Sequence, residues 1–215
     1  MITVEEQVAS LGAFLKWNIL RCIKVYDSSL NEYVTSMVRK TVEEVRFTLT
    51  LEGLKRHPVI RAYRDFYWGL GIDPTKVRPS SEALIRRALK TGSIPLINNV
   101  VDLGNVASMK TMVPIGIYDL DKILPPLTLR RAREGELFYP IGGDPERLTS
   151  RDIVLVDSRG TIIHLFPHRD SVYTMVNAST KNILIVACGV RGVDEERVQE
   201  AVELTSKLIA ESCRM

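Results

Sequence analysis

The sequence predicts an α+β fold, a single domain in which helices pack on a curved, mixed β-sheet. Three observations predict it. Residues 30–49 and 194–213 carry apolar side chains at intervals of three and four, the spacing of a helix with one buried face. NILIVACGV (182–190) is a near-continuous apolar run, the pattern of a strand covered on both sides. DIVLVDSRGTIIHLF (152–166) sets Ser158-Arg159-Gly160 between two apolar runs, which is hairpin chemistry.

Taken in order, the chain opens on a short, poorly periodic segment. A run rich in Phe14, Trp17, Ile19, Leu20, Ile23 and Val25 follows, and its later part is expected to be a strand. Ser28 or Ser29 is placed to cap the next helix. The stripe of that helix is Leu30, Tyr33, Val34, Met37, Val38, Thr41, Val42, Val45 and Leu49, with Glu43 and Glu44 on or near its solvated side. Pro58 suits the first turn of a helix over 58–70, where Arg61, Arg64 and Asp65 alternate with Tyr63, Phe66, Tyr67 and Trp68. That pattern is a core helix with a charged edge, or a surface for nucleic acid. VRPSSEALIRRALKTG starts a third helix, capped by Ser80 or Ser81 and stopped by Gly92. Val113–Tyr118 and 127–136 read as strands, and one of Arg130 and Arg131 is expected to turn inward and pair. Asp194 caps the last helix, with Glu195 and Glu196 in its first turn.

Length and composition fit one compact unit. The 215 residues are 45% hydrophobic and 26% charged, with no internal repeat and no obvious linker. We expect one domain over 1–215: an N-terminal strand and helix (1–57), a core (58–190) and a C-terminal helix (191–215). The three cysteines, Cys22, Cys188 and Cys213, match no disulfide or zinc spacing, and Cys22 and Cys188 lie in apolar runs as core residues would. His57, His164 and His168 have no metal-ligand spacing, so no metal and no cofactor are expected. No signal peptide or membrane-spanning run is visible, which points to the cytoplasm. A net charge of +3 permits an RNA partner without announcing one.

Pro95–Ile123 is the segment on which the rest turns. Asn98, Asp102 and Asn105 fall at i, i+4 and i+7 of a helix that is otherwise mostly apolar. A buried amide or carboxylate costs about 1–3 kcal/mol unless its hydrogen bonds are met, so the stripe needs partners. It either ties neighbouring loops to the helix or lines a pocket. A second polar group is Pro167-His168-Arg169-Asp170-Ser171 with Thr174. Along a strand His168 and Asp170 share one face, and Arg169 and Ser171 the other, so His168, Asp170 and Ser171 cannot converge as a triad. The set suits anchoring a carboxylate, an amine or a phosphate, unless Arg169 and Asp170 simply pair.

INNVVDLGN (97–105) and PIGIYD (114–119) resemble the signature of the tRNA-binding B3/B4 domain of the phenylalanyl-tRNA synthetase beta subunit, and more closely the freestanding proteins built from that domain. The likeness continues through RPSSEALIRR (78–87), through Arg131, Ala132, Gly135 and Glu136, and through Arg169-Asp170-Ser171 with Thr174. The resemblance implies recognition of tRNA or aminoacyl-tRNA, and suggests hydrolysis of wrongly charged aminoacyl-tRNA. Asn105, Arg169 and Ser171 are then the candidates for orienting water or holding an oxyanion. Asn98, Asp102, Asn105, His168, Arg169, Asp170, Ser171 and Thr174 are candidate ligand contacts, and Arg78, Arg86, Arg87 and Lys90 candidate phosphate contacts. Arg78 and Glu82 can instead be an ion pair that fixes their loop. Three polar groups of the bacterial pocket are replaced here by Gly104, Gly116 and Val186. The bacterial machinery therefore does not carry over, and the two glycines are expected to leave room for a bulky group. Neither DNA nor a membrane is an expected partner. The alternatives are a non-catalytic tRNA-binding module and a small-molecule amino-acid-binding protein. The chain is too short for a whole synthetase.

Overall fold

The computed structural model describes residues 1–214. In order, the elements are β1 (Ile2–Val4), α1 (Glu6–Ala9), β2 (Phe14–Leu20), α2 (Glu32–Thr48), α3 (Leu51–Arg56), α4 (Pro58–Gly69), α5 (Ser80–Thr91), α6 (Asn99–Thr111), β3 (Ile115–Asp119), β4 (Leu127–Arg131), β5 (Leu137–Phe138), β6 (Glu146–Arg147), β7 (Ile153–Val156), β8 (Ile162–Leu165), β9 (Arg169–Asp170), β10 (Ile183–Gly189) and α7 (Glu195–Ser212). Among the described residues no helix is long and apolar enough to cross a membrane.

The fold is α+β, and its strands divide into three sheets where one was expected. A five-stranded mixed sheet runs β1-β4-β7-β8-β9, parallel only between β1 and β4. A three-stranded antiparallel sheet runs β2-β10-β3, and β5 and β6 make a small ribbon. Hydrophobic pattern says which faces are buried but not which strands are neighbours. β10 is buried at every residue because β2 and β3 flank it and α7 packs on it.

α6 packs against α7, α2, α5 and β3, so almost its whole circumference is buried. That explains its weak amphipathicity and forces its polar side chains to find partners. Asn98 is the N-cap, accepting from the Val101 N–H at 2.9 Å. The Asp102 carboxylate accepts from the Ile97 N–H at 2.9 Å; burial pushes its carboxyl up, against the pull of that bond. Asn99 accepts from the Tyr26 N–H at 2.9 Å and donates to the Lys24 carbonyl at 3.0 Å, fastening the 21–26 loop to the helix.

Several local expectations need correcting. α2 is capped by Asn31 rather than by Ser28 or Ser29, which open a 3₁₀ turn capped by Asp27. At α5 the cap position is Pro79, with Ser80 and Ser81 already helical. Cys22 is exposed, in a left-handed turn at φ 57°, and is no core residue. Glu82 pairs with Arg64 and not with Arg78: two guanidinium nitrogens reach its carboxylate at 2.9 Å, and Arg86 approaches at 3.8 Å. Glu82 is fully buried, and an unpaired carboxylate there would be strongly destabilising. α4 is accordingly a core helix, with Tyr63, Phe66 and Tyr67 buried and Arg64 engaged at its edge. Arg130 is the inward member of its pair, bonded to Glu136 at 2.6 and 2.9 Å.

Candidate functional site

Two successive helices and a strand much later in the chain meet around an open cavity of about 450 Å³. α5 supplies Ser80, Ala83, Leu84 and Arg87, α6 supplies Asn105 and Ser108, and the β9 segment supplies His168, Arg169 and Asp170, with Ile115 at the start of β3. The α6–α5 packing and the β8–β9 pairing hold the walls in place.

The polar side chains here are of two kinds. Some are held by the protein. Asp170 accepts from His164 Nδ1 at 2.8 Å, its register partner across β8 and β9. Arg169 donates to Glu146 at 2.6 Å, which ties β9 to β6. His168 Nδ1 lies 2.8 Å from the Arg78 carbonyl. A carbonyl only accepts, so Nδ1 carries the proton and Nε2 is left as an acceptor. Burial and the Arg169 charge push the His168 imidazole down to about 4, although the Arg78 carbonyl opposes this. His168 is therefore neutral at physiological pH.

Other groups are open. The Asn105 amide and the Arg87 guanidinium have no side-chain partner among the described residues, and the Asp170 carboxylate, bonded to His164 and beside the buried Tyr118 hydroxyl, has acceptor capacity left. An amide, a cation and a carboxylate thus face one cavity with hydrogen-bonding capacity unused.

Of the residues picked out from sequence, the structure brings Asn105, Arg87, His168, Arg169 and Asp170 together. It does not bring the rest. Asn98 and Asp102 bond the N-terminus of α6 and its approach. Ser171 is fully buried and caps the 3₁₀ turn Val172–Thr174, and Thr174 is buried within that turn. Arg86 leans on Glu82, and Arg78 contributes its carbonyl; Lys90 is exposed on α5, outside the cavity lining. His168, Arg169 and Asp170 are consecutive, yet all line the cavity, because β9 is only two residues long and strand alternation does not extend through it.

The room expected at the two glycines is also not there. A Cβ at Gly104 would meet Ile117 Cδ1 at 2.6 Å, and one at Gly116 would collide with the Tyr118 hydroxyl. Val186 is completely buried in β10.

Sequence reasoning missed a chain running inward from Asp170. His164 Nε2 lies 3.5 Å from Cys188 Sγ, giving Cys188, His164 and Asp170 in a row. The only sequence signal was one histidine inside the apolar run of β8. Cys188 is fully buried and burial pushes its thiol well up, so the row has no exposed, activated nucleophile. Among the described residues no group of three or more His, Cys, Asp or Glu could hold a metal ion.

Comparison with known proteins is consistent across sequence and fold. The phenylalanine–tRNA ligase beta subunit of Bifidobacterium longum is 35% identical over 108 residues, covering 48% of this chain and 12% of that protein. The Neisseria meningitidis serogroup B beta subunit is 24% identical over 192 residues, covering 77% of this chain and 24% of that one. The chain thus spans a quarter or less of these relatives' length. An N-terminal fragment of the phenylalanyl-tRNA synthetase beta subunit from Pyrococcus horikoshii superposes on 98% of this chain and 48% of its own, with a TM-score of 0.54 at 19% identity, a likeness of fold alone. The family model described as the B3/4 domain matches residues 62–214, and the chain belongs to that family.

Proposed function

We propose that this chain binds aminoacylated tRNA in trans, accepts the acylated 3′ end in the cavity between α5, α6 and β9, and hydrolyses the ester of a wrongly attached amino acid. Asp170 is the observation that carries the proposal. It lines the cavity, fixed by His164 beside the Tyr118 hydroxyl, and its carboxylate suits the ammonium of an aminoacyl group. Asn105 then faces the ester carbonyl, and Arg87, exposed at the cavity wall, faces a phosphate of the RNA. An aminoacyl ester is already labile, so orienting one water against a polarised carbonyl is sufficient chemistry. Family membership supports the tRNA partner, since the relatives are tRNA ligase subunits. The reading places the protein in the cytoplasm, where tRNA is charged.

Binding without hydrolysis is the second reading. It is favoured by His168, the imidazole at the cavity, being pushed down to about 4 by burial and so poorly suited as a general base. Incubating the protein with a panel of mischarged tRNAs decides between the two. Amino-acid release above the buffer rate, lost in Asp170→Asn, supports hydrolysis. Tight binding with no release supports the second reading. Binding of free amino acids with no response to tRNA contradicts both.

A further inference from the structure

Just past β9 the chain stays extended through Ser171 and pairs with residues 139–141. The Ile141 N–H donates to the Asp170 carbonyl at 3.0 Å, the Val172 N–H donates to the Tyr139 carbonyl at 3.0 Å, and Pro140 lies opposite Ser171. Side chains alternate across this short ribbon. Pro140 and Ser171 are buried, whereas Tyr139, Ile141, Asp170 and Val172 are exposed or half-buried on the other face. The face that carries Asp170 to the cavity thus continues into a second open groove, of about 540 Å³, lined by Tyr139, Val172 and the loop Gly142-Gly143-Asp144-Pro145. Arg169 stands between the two hollows: it lines the cavity, and its guanidinium lies 3.4 Å from the point a Cβ on Gly143 would take. Tyr173 leans on Tyr139, with ring centroids 5.1 Å apart and planes at 57°, yet it is 52% exposed. Ile141 and Val172 are exposed on the same ribbon. Large apolar side chains clustered on one exposed face mark a contact surface.

The lining of the groove selects its occupant. No lysine or arginine lines it, and Arg169 at its border is already bonded to Glu146 at 2.6 Å, so nothing there holds a phosphate. The exposed Asp144 carboxylate repels a phosphate and accepts from an exocyclic amine, such as that of cytosine. An exposed tyrosine ring braced by a second ring offers a face on which a base can stack. We propose that this groove, with Tyr173 at its edge, is a second contact for the ligand of the cavity: a stacking site for an unpaired nucleobase that precedes the acylated nucleotide of the RNA. This rests on the reading of the cavity as the seat of an aminoacylated tRNA end. Asp170 and Val172 are two residues apart, roughly 7 Å along an extended chain, so the groove is within reach of the nucleotides next to the acylated one. The bases face the groove and the phosphates face solvent.

The test is calorimetric binding of two non-hydrolysable analogues to the full chain. One is adenosine with alanyl amide-linked at its 3′ position, which reaches only the cavity. The other is the same group extended by two cytidine nucleotides on its 5′ side. The extended analogue is expected to bind about 5- to 150-fold more tightly, the range that stacking of one base on an aromatic ring gives. Tyr173→Ala is expected to remove that gain and leave the adenosine analogue unaffected, whereas Tyr173→Phe, which keeps the ring, retains it. Equal affinities for the two analogues in the unaltered protein overturn the stacking site and leave the cavity standing. A gain that survives in a folded Tyr173→Ala, or one lost equally in Tyr173→Phe, does the same. Equal affinities together with a dimer that dissociates on Tyr173→Ala overturn it in favour of a second copy of this chain. No binding of either analogue overturns the reading of the cavity and the stacking site with it. The comparison in the unaltered protein decides even where a variant fails to fold.

Discussion

His168 is kept neutral by burial beside Arg169. Its pKa lies near 4 in the folded protein and near 6.5 in an unfolded chain, so between those values the unfolded state holds the extra proton. Stability from this residue is fully present above about pH 6.5 and is lost as the pH falls through about 4, a change of order 3 kcal/mol. Measuring urea unfolding from pH 7 to pH 4 should show that loss, and His168→Asn, which keeps a donor toward the Arg78 carbonyl, should flatten it. An unchanged slope in the variant would assign the acid sensitivity elsewhere. Glu82 is a second residue whose environment sets its consequence. It is fully buried between Arg64 and Arg86, and Glu82→Ala leaves two guanidinium groups without their shared anion. The expected cost is about 3 kcal/mol or more, read as a fall in the urea midpoint.

At the scale of elements, α6 depends on its N-terminal side chains for its form and on Asn105 for its part in the site. Asn98→Ala removes the cap on Val101 and should cost about 1 kcal/mol while leaving the cavity lining intact. Ligand binding should therefore be unchanged by Asn98→Ala and weakened by Asn105→Ala; equal losses would mean that Asn98 also reaches the ligand. α5 separates its arginines in the same way. Arg87 is exposed at the cavity, so Arg87→Ala should weaken tRNA binding and lower its salt slope by about one charge. Arg86→Ala should leave the salt slope alone and reduce stability, because Arg86 faces Glu82.

These elements also show how far sequence reasoning reaches. The stripes of α2 and α7 and the apolar run of β10 were legible because burial of one face, or of both, imposes a period on the chain. The stripe of Asn98, Asp102 and Asn105 was legible as a stripe, but a helical wheel does not say that one end of it meets its own backbone and the other a cavity. β1 and α3 were missed, being three and six residues long with too little pattern to register. The His164–Asp170 pair depends on the register of β8 against β9 across a short turn, which neither residue type signals alone.

On the scale of the whole molecule, the site exists because two successive helices, α5 and α6, close on β9, a strand some sixty residues further along the chain. α5 and α6 bring the cation and the amide, and β9 brings the carboxylate, presented by a histidine from the neighbouring strand. The relatives that share this domain carry it within much longer chains. A net charge of +3 gives weak long-range attraction to a polyanion. Under the proposed function, discrimination therefore lies in the cavity rather than in a broad electrostatic footprint. The most direct measurement is the affinity of the protein for a tRNA carrying a non-hydrolysable aminoacyl group, set against the same tRNA uncharged, for the unaltered protein and for Asp170→Asn. The account predicts tighter binding of the charged form by about tenfold or more, and loss of that preference in Asp170→Asn, since a charged hydrogen bond contributes about 1.5–3 kcal/mol. Equal binding of the two forms, or a preference that survives Asp170→Asn, would contradict it.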